Sequence, residues 1–227
     1  MINEIITSLD GIFIDPVVKS LLIFLSYAFL GGGMKYIDQA YDLEVFSKTR
    51  ANILAVPLAS LMALLIIMDP PSTTIFLSIF MIVAITKKID NFAFYIGTGI
   101  LIFLPILFHD ILQIYWLPLG ILVFSGILDE IGNDWADNRI KRGRLNNSRN
   151  HVNNKPIKKF VEKFFHHRFA MKIAVLILSI ADFFGYLYLF AFILFDLSYL
   201  SVDLYSQRFR GYSLSKPEFA NRLRTMV

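Results

Sequence analysis

The carboxylates are the residues of this chain best placed to do chemistry, because they recur at the ends of long apolar runs. Lys35-Tyr36-Ile37-Asp38 closes the first run, and Asp42 follows four residues later. On a helix, Asp38 and Asp42 share a face. Lys87-Lys88-Ile89-Asp90 closes the third run and repeats the Lys-x-Ile-Asp pattern, which hints at a duplicated two-helix unit. Ile127-Leu128-Asp129-Glu130 closes the fifth, with Asn133-Asp134 and Asp137 just beyond. Glu130, Asp134 and Asp137 fall at i, i+4 and i+7 and line one stripe. Asp196 lies well inside the last apolar run. An acid at that depth faces a cavity or a partner by default.

Like charges at helical spacing repel, so these clusters need a base or a cation. Oxygen-rich clusters suit Mg²⁺, which keeps some water and binds through one or two carboxylates plus substrate phosphates. The expected metal ligands are Asp38, Asp42, Asp129, Asp134 and Asp137. Of these, Asp38, Asp42, Asp134 and Asp137 would carry the chemistry, and Lys88, Asn133, Arg139 and Lys141 would hold a phosphate-bearing substrate. Asp90, Glu130 and Asp196 are further candidates. The plainer reading is a headgroup-zone acid paired with a nearby lysine. It applies best to Asp38 and Asp90.

The elements that must position these residues are membrane helices. Of the 227 residues, 56% are hydrophobic and 18% charged, against about 25% charged in ordinary soluble domains. A span needs about 20 mostly apolar residues. Seven runs qualify or nearly so, at 16–34, 51–68, 73–86, 92–108, 111–128, 169–183 and 186–202. Turn chemistry separates them at Asp69-Pro70-Pro71-Ser72, at His109-Asp110 and from Asp182 to Gly185. The last two runs could instead be one helix from 169 to 195. Basic residues argue for seven spans with the N-terminus outside, because every Lys and Arg except Lys19 then falls on the cytoplasmic face or its border.

The expectation is therefore an all-α polytopic bundle, a single transmembrane domain over 1–227 with its C-terminus in the cytoplasm. Residues 139–160 form a basic cytoplasmic loop and 203–227 a cytoplasmic tail. The loop has eight basic residues and no acidic one, which suits contact with anionic membrane lipids. Nucleic acid is not expected as a partner. After the loop, aromatic and charged residues interleave over 160–167, as in an interfacial amphipathic helix. The first 15 residues carry no Lys or Arg, so no cleavable signal peptide is expected. With no cysteine, thiolate chemistry and disulfides are excluded.

Asn133-Asp134-Trp135-Ala136-Asp137 reads N-D-x-x-D. It resembles the first Asp-rich motif of UbiA-type intramembrane prenyltransferases, whose fuller form is N-D-x-x-D-x-x-x-D. Asp38-Gln39-Ala40-Tyr41-Asp42 reads D-x-x-x-D and is similar to that family's second motif. In this chain the third acid position is Lys141 and the two motifs come in reverse order. The resemblance implies facing motifs at the cytoplasmic mouth of a bundle, holding Mg²⁺ against a prenyl diphosphate. The expected function is a Mg²⁺-dependent enzyme acting on a lipid or prenyl diphosphate, most simply by prenyl transfer, in the plasma membrane. The alternatives are a cation transporter or channel with an acidic cytoplasmic mouth, and a membrane assembly protein without chemistry. Polar residues are scarce through the spans, which disfavours a conduit. No H-E-x-x-H, G-x-S-x-G or Walker pattern occurs, and the last span lacks a lysine for a retinal Schiff base.

Overall fold

Local chemistry sets where the helices start and stop. A computed structural model describes residues 16–87, 89–145 and 169–224, with side chains except at 111, 134, 136–145 and 210–224. Among the described residues there are seven α-helices and no strand. They are α1 (Pro16–Asp42), α2 (Lys48–Met68), α3 (Pro70–Ile85), α4 (Phe92–Leu107), α5 (Trp116–Leu145), α6 (Phe169–Ile180) and α7 (Tyr186–Arg224), with a 3-10 turn at His109–Ile111. The chain is all-α, and each expected run is one of these helices. Three stretches are long and apolar enough to cross a membrane: α1, α2 and Tyr186–Phe209 of α7. At 1.5 Å per residue, α6 reaches about 18 Å, and α3 and α4 about 24 Å. The hydrocarbon core is about 30 Å thick.

Several boundaries differ from the expected ones, and the differences matter for the acids. Helix α1 continues to Asp42, so Asp38 and Asp42 are helical. Helix α5 begins at Trp116 rather than 111 and continues to Leu145. The first part of the basic loop therefore prolongs a helix. Helix α7 runs on past Val202 to Arg224, which makes residues 203–224 of the expected tail helical. The amphipathic helix expected over 160–167, the rest of the basic loop and Lys88 lie outside the described residues.

Helix α3 starts at Pro70 because Asp69 caps it: an Asp69 carboxylate oxygen accepts from the Ser72 backbone N–H at 3.1 Å. Pro70 suits the first helical position, where a missing N–H removes nothing from the helix. Asn91 does the same for α4, accepting from the Phe94 N–H at 3.0 Å. Helix α6 ends at a left-handed residue, Asp182 (φ 61°). The Asp182 N–H donates to the Ser179 carbonyl and the Phe183 N–H to the Leu178 carbonyl. This is a Schellman closure. It breaks the apolar stretch from 169 to 195 into two helices, as the seven-run reading requires.

The chain forms two compact units. The first contains residues 1–64, 91–107 and 190–227, and the second contains 65–90 and 108–189. In the first, α1 and α7 run parallel in near backbone contact at Gly31. A Cβ there would overlap the Phe195 carbonyl oxygen and lie 2.8 Å from its carbon. On the next face, Gly32 meets the Ser198 hydroxyl at an ordinary distance. In the second unit, α5 packs against α3 and α6, and Gly126 makes room for the Ile82 side chain. Trp116 and Trp135 of α5 are both exposed. Nineteen residues of helix span about 28 Å, close to the hydrocarbon thickness, and Trp favours the two interfaces.

The Gly31 contact has a direct consequence. Gly31→Ala should destabilise the detergent-solubilised protein by about 1–3 kcal/mol, because backbone rather than a flexible side chain must move. Gly32→Ala, with 3.4 Å to its nearest neighbour, should be close to neutral. Thermal unfolding of the two variants side by side measures the difference.

Candidate functional site

The polar end of the first unit follows from the register of α1 on α7. The backbones meet at Gly31 and Phe195. Four residues on, Lys35 lies over the Tyr199 ring, 5.0 Å from its centroid. Four more bring Gln39 onto Asp203. Both helices advance about one turn per step, so the pairing stays in phase.

Lys35 and Asp203 are the centre of this cluster. The Lys35 ammonium lies 2.8 Å from Asp38 Oδ2 and 3.2 Å from Asp203 Oδ1. Gln39 Nε2 donates to the same Asp203 oxygen at 2.9 Å. Gln207 Nε2 donates to the other, Asp203 Oδ2, at 2.8 Å. Three donors thus converge on one carboxylate. Gln39 is only 4% exposed, and its Oε1 has no hydrogen-bond partner. At the exposed end of α1, Tyr41 donates to Asn52 Oδ1 of α2. Lys48 pairs with Glu44 at 2.6 Å and holds that carboxyl below its usual range.

The second unit uses its acids differently. Asp129 is 2% exposed. One of its oxygens accepts from the Ala170 N–H at 2.9 Å and the other from the Met171 N–H at 2.8 Å. Asp129 of α5 therefore caps the N-terminus of α6 from across the interface, where orphan N–H groups and the helix dipole favour an anion. Glu130 beside it is also buried. At the other end of this unit, Asp69 caps α3 and accepts from the Tyr188 hydroxyl at 2.6 Å. The Thr73 hydroxyl bonds the Ile66 and Asp69 carbonyls, and Thr74 Oγ1 accepts from the Tyr115 N–H.

The expected site residues fall out as follows. Asp38 and Asp42 end α1 in the first unit. Asp129, Glu130 and half-buried Asn133 lie on α5 in the second. The side chains of Asp134, Asp137, Arg139 and Lys141 lie outside the described residues, as does Lys88. Asp90 is exposed in the connection to α4. The two Lys-x-Ile-Asp segments do not share a conformation. The first is helical, while the second starts at Lys87 with φ 55° and ends in a loop. Asp196 is half-buried on α7, next to the Phe195 contact. His109 and Asp110 form an exposed pair at 3.0 Å in the 3-10 turn. Among the described residues, no three His, Asp or Glu side chains form a group that could hold a metal ion.

Sequence reasoning missed Asp203, Gln39 and Gln207. A signal was present: Asp196, Tyr199, Asp203 and Gln207 recur at i, i+3, i+7 and i+11, and Lys35 and Gln39 are four apart. Ending the last span at 202 hid it. No family model, no curated protein and no solved structure matches the chain.

The trans cap makes a testable claim about Asp129. Asp129→Ala should lower stability by about 2 kcal/mol, the scale of a lost buried helix cap with charged hydrogen bonds. Asp129→Asn, which keeps one acceptor oxygen, should lose less. Thermal unfolding gives both values.

Proposed function

We propose that the chain is a Mg²⁺-dependent intramembrane enzyme acting on a lipid or prenyl diphosphate at the cytoplasmic face of the plasma membrane, by prenyl transfer. The observation that supports it best is the polar end of α1. Asp38 and Asp42 lie one turn apart there, beside a cluster of Lys35, Gln39 and Asp203. The N-D-x-x-D segment of α5 is the second donor set of the proposal. All the donors are hard oxygens, which fits Mg²⁺. Asp129 fits the metal set least well, because both of its oxygens already serve the α6 backbone. Bound Mg²⁺ would neutralise the diphosphate and assist its departure. Asp38 and Asp42 in the first unit, and Asp134 and Asp137 in the second, would be metal donors, and Lys88, Asn133, Arg139 and Lys141 would be phosphate donors.

On α1, the ion pairs and the Gln39 hydrogen bond lie at the C-terminal end. Deeper along the same helix the buried side chains are Ile23, Tyr27 and Leu30. That distribution favours a one-sided site over a conduit, which needs polar groups along its whole length. The parallel course of α1 and α7 supports the proposed orientation. If both cross, their N-terminal ends share one side, and the acidic end of α1 lies on the side of the basic tail.

Two experiments test this reading. Mg²⁺ or Mn²⁺ at about 100 times its Kd should add about 2.7 kcal/mol to the stability of the solubilised protein. Inorganic diphosphate should add more. The double variant Asp38→Asn with Asp134→Asn should lose the response, and an unchanged response would reject the metal reading. For orientation, cysteines at exposed Thr49 and exposed Gln113 should label from opposite sides of intact cells. Labelling from the same side contradicts the topology.

A further inference from the structure

We propose that Asp196 is a proton-binding site at the middle of the membrane, reached from the end of the first unit where α1 stops. The proposal stands apart from the metal reading. Within the apolar span Tyr186–Phe209, Asp196 lies ten residues from one end and thirteen from the other, about 15 and 20 Å along the helix. An acid at that depth is costly and marks a functional site by default. A metal ion needs several oxygen donors, whereas one carboxylate holds a proton. Proton uptake also removes the charge that makes the position costly.

Along α7, polar side chains approach Asp196 from one direction. Asp196, Tyr199, Asp203 and Gln207 recur at i, i+3, i+7 and i+11 and form one stripe. The Asp203 side chain is 23% exposed, and Gln207 beyond it is exposed. In the other direction the stripe continues at Phe192, which is buried and stacks on Phe195. Gln39 of α1 is the second observation. Its Nε2 is held on Asp203 Oδ1 at 2.9 Å, and its buried Oε1 has no partner in the protein. The amide nitrogen and oxygen are about 2 Å apart, so Oε1 lies within about 5 Å of that carboxylate. Such an acceptor fits a small donor, a water molecule that also reaches Asp203. From Asp203 to Asp196 is about 10 Å along the helix, about three or four hydrogen-bonded links, with Tyr199 between them. A proton taken from solvent by Asp203 is handed on to Asp196, and Asp203 returns to its starting state. The other titratable groups near this level are Tyr27 and Lys35 on α1 and Tyr95 on α4, and α2 has none between Ala51 and Met68.

The chain has no cysteine, so single cysteines report access without background. Phe46 stacks on Tyr36 of α1 at 4.3 Å and lies parallel to Tyr205 of α7. The start of α2 therefore shares the end where α1 stops, and a cysteine at exposed Thr49 marks that side. In intact cells, Asp196→Cys should react with a small impermeant thiosulfonate from the side on which Thr49→Cys labels. It should react about tenfold faster than Leu200→Cys, whose thiol ionises less in apolar surroundings. Leu200 is 39% exposed and lies one turn nearer the same end. Infrared spectra of the full chain in nanodiscs test the proton itself. A carboxyl band that appears on acidification and shifts in D₂O should be missing in Asp196→Asn. Its exchange should slow about tenfold in Asp203→Asn, the scale of one lost hydrogen-bonded link. Equal labelling at 196 and 200, or labelling at 196 from the Gln113 side, overturns the one-sided access. A carboxyl spectrum unchanged by Asp196→Asn overturns the proton site. If Asp203→Asn does not fold, Tyr199→Phe takes its place, and exchange that is not slowed there overturns the route.

Discussion

The first unit depends on one close approach, the backbone of α1 at Gly31 against the backbone of α7 at Phe195. Residues without side chains let helices approach closely in membranes, where apolar surface gains little from leaving lipid. Here the approach also sets register. Because the two helices run parallel, each turn beyond the contact presents the next pair in phase. Lys35 and Gln39 reach Tyr199 and Asp203 for that reason. The half-buried ionic cluster is a consequence of a glycine one turn away. A charged cluster alone would be weak evidence for stability, since desolvation offsets much of its attraction. The glycine contact supplies the geometry in which the cluster can be satisfied.

The second unit solves a different problem with the same residue type. Two of its helices begin at buried aspartates, α3 at Asp69 and α6 at Asp129. Helix N-termini carry N–H groups without intrahelical partners, and buried ones need an acceptor from the protein. Asp69 meets that need locally, from the residue just before the helix. Asp129 meets it from a neighbouring helix. Each carboxylate obtains donors for its charge in return. Asp129 is 2% exposed, and an uncompensated buried acid would be expensive. An acid that looks like a ligand in the sequence is thus fully occupied in making a short helix possible.

Much of the architecture was legible from the residues. Seven apolar runs became seven helices, because long apolar stretches with Pro, Gly and Asp between them have few other folds in a membrane. The breaks at Asp69-Pro70-Pro71-Ser72 and at Asp182 were readable as turn chemistry, although α3 already begins at Pro70 rather than at 73. Helix ends were read less well. Sequence reasoning stopped α1 at 34, α5 at 128 and α7 at 202, where hydropathy falls. The helices continue because hydrogen bonding along the backbone does not require apolar side chains, and polar turns persist outside the hydrocarbon.

Sequence by itself determined the class of structure, the side-chain chemistry on offer and the helical spacing that puts Asp38 with Asp42 and Lys35 with Gln39. These properties are local, set by covalent order and by the period of the helix. The tertiary structure alone decided what each acid touches. Asp203 became the partner of Lys35 and Gln39, and Asp129 became the cap of α6. Those partners stand 164 and 41 residues apart in the chain. No periodicity encodes such a pairing, because it depends on which helix faces meet and on how closely a glycine lets them approach.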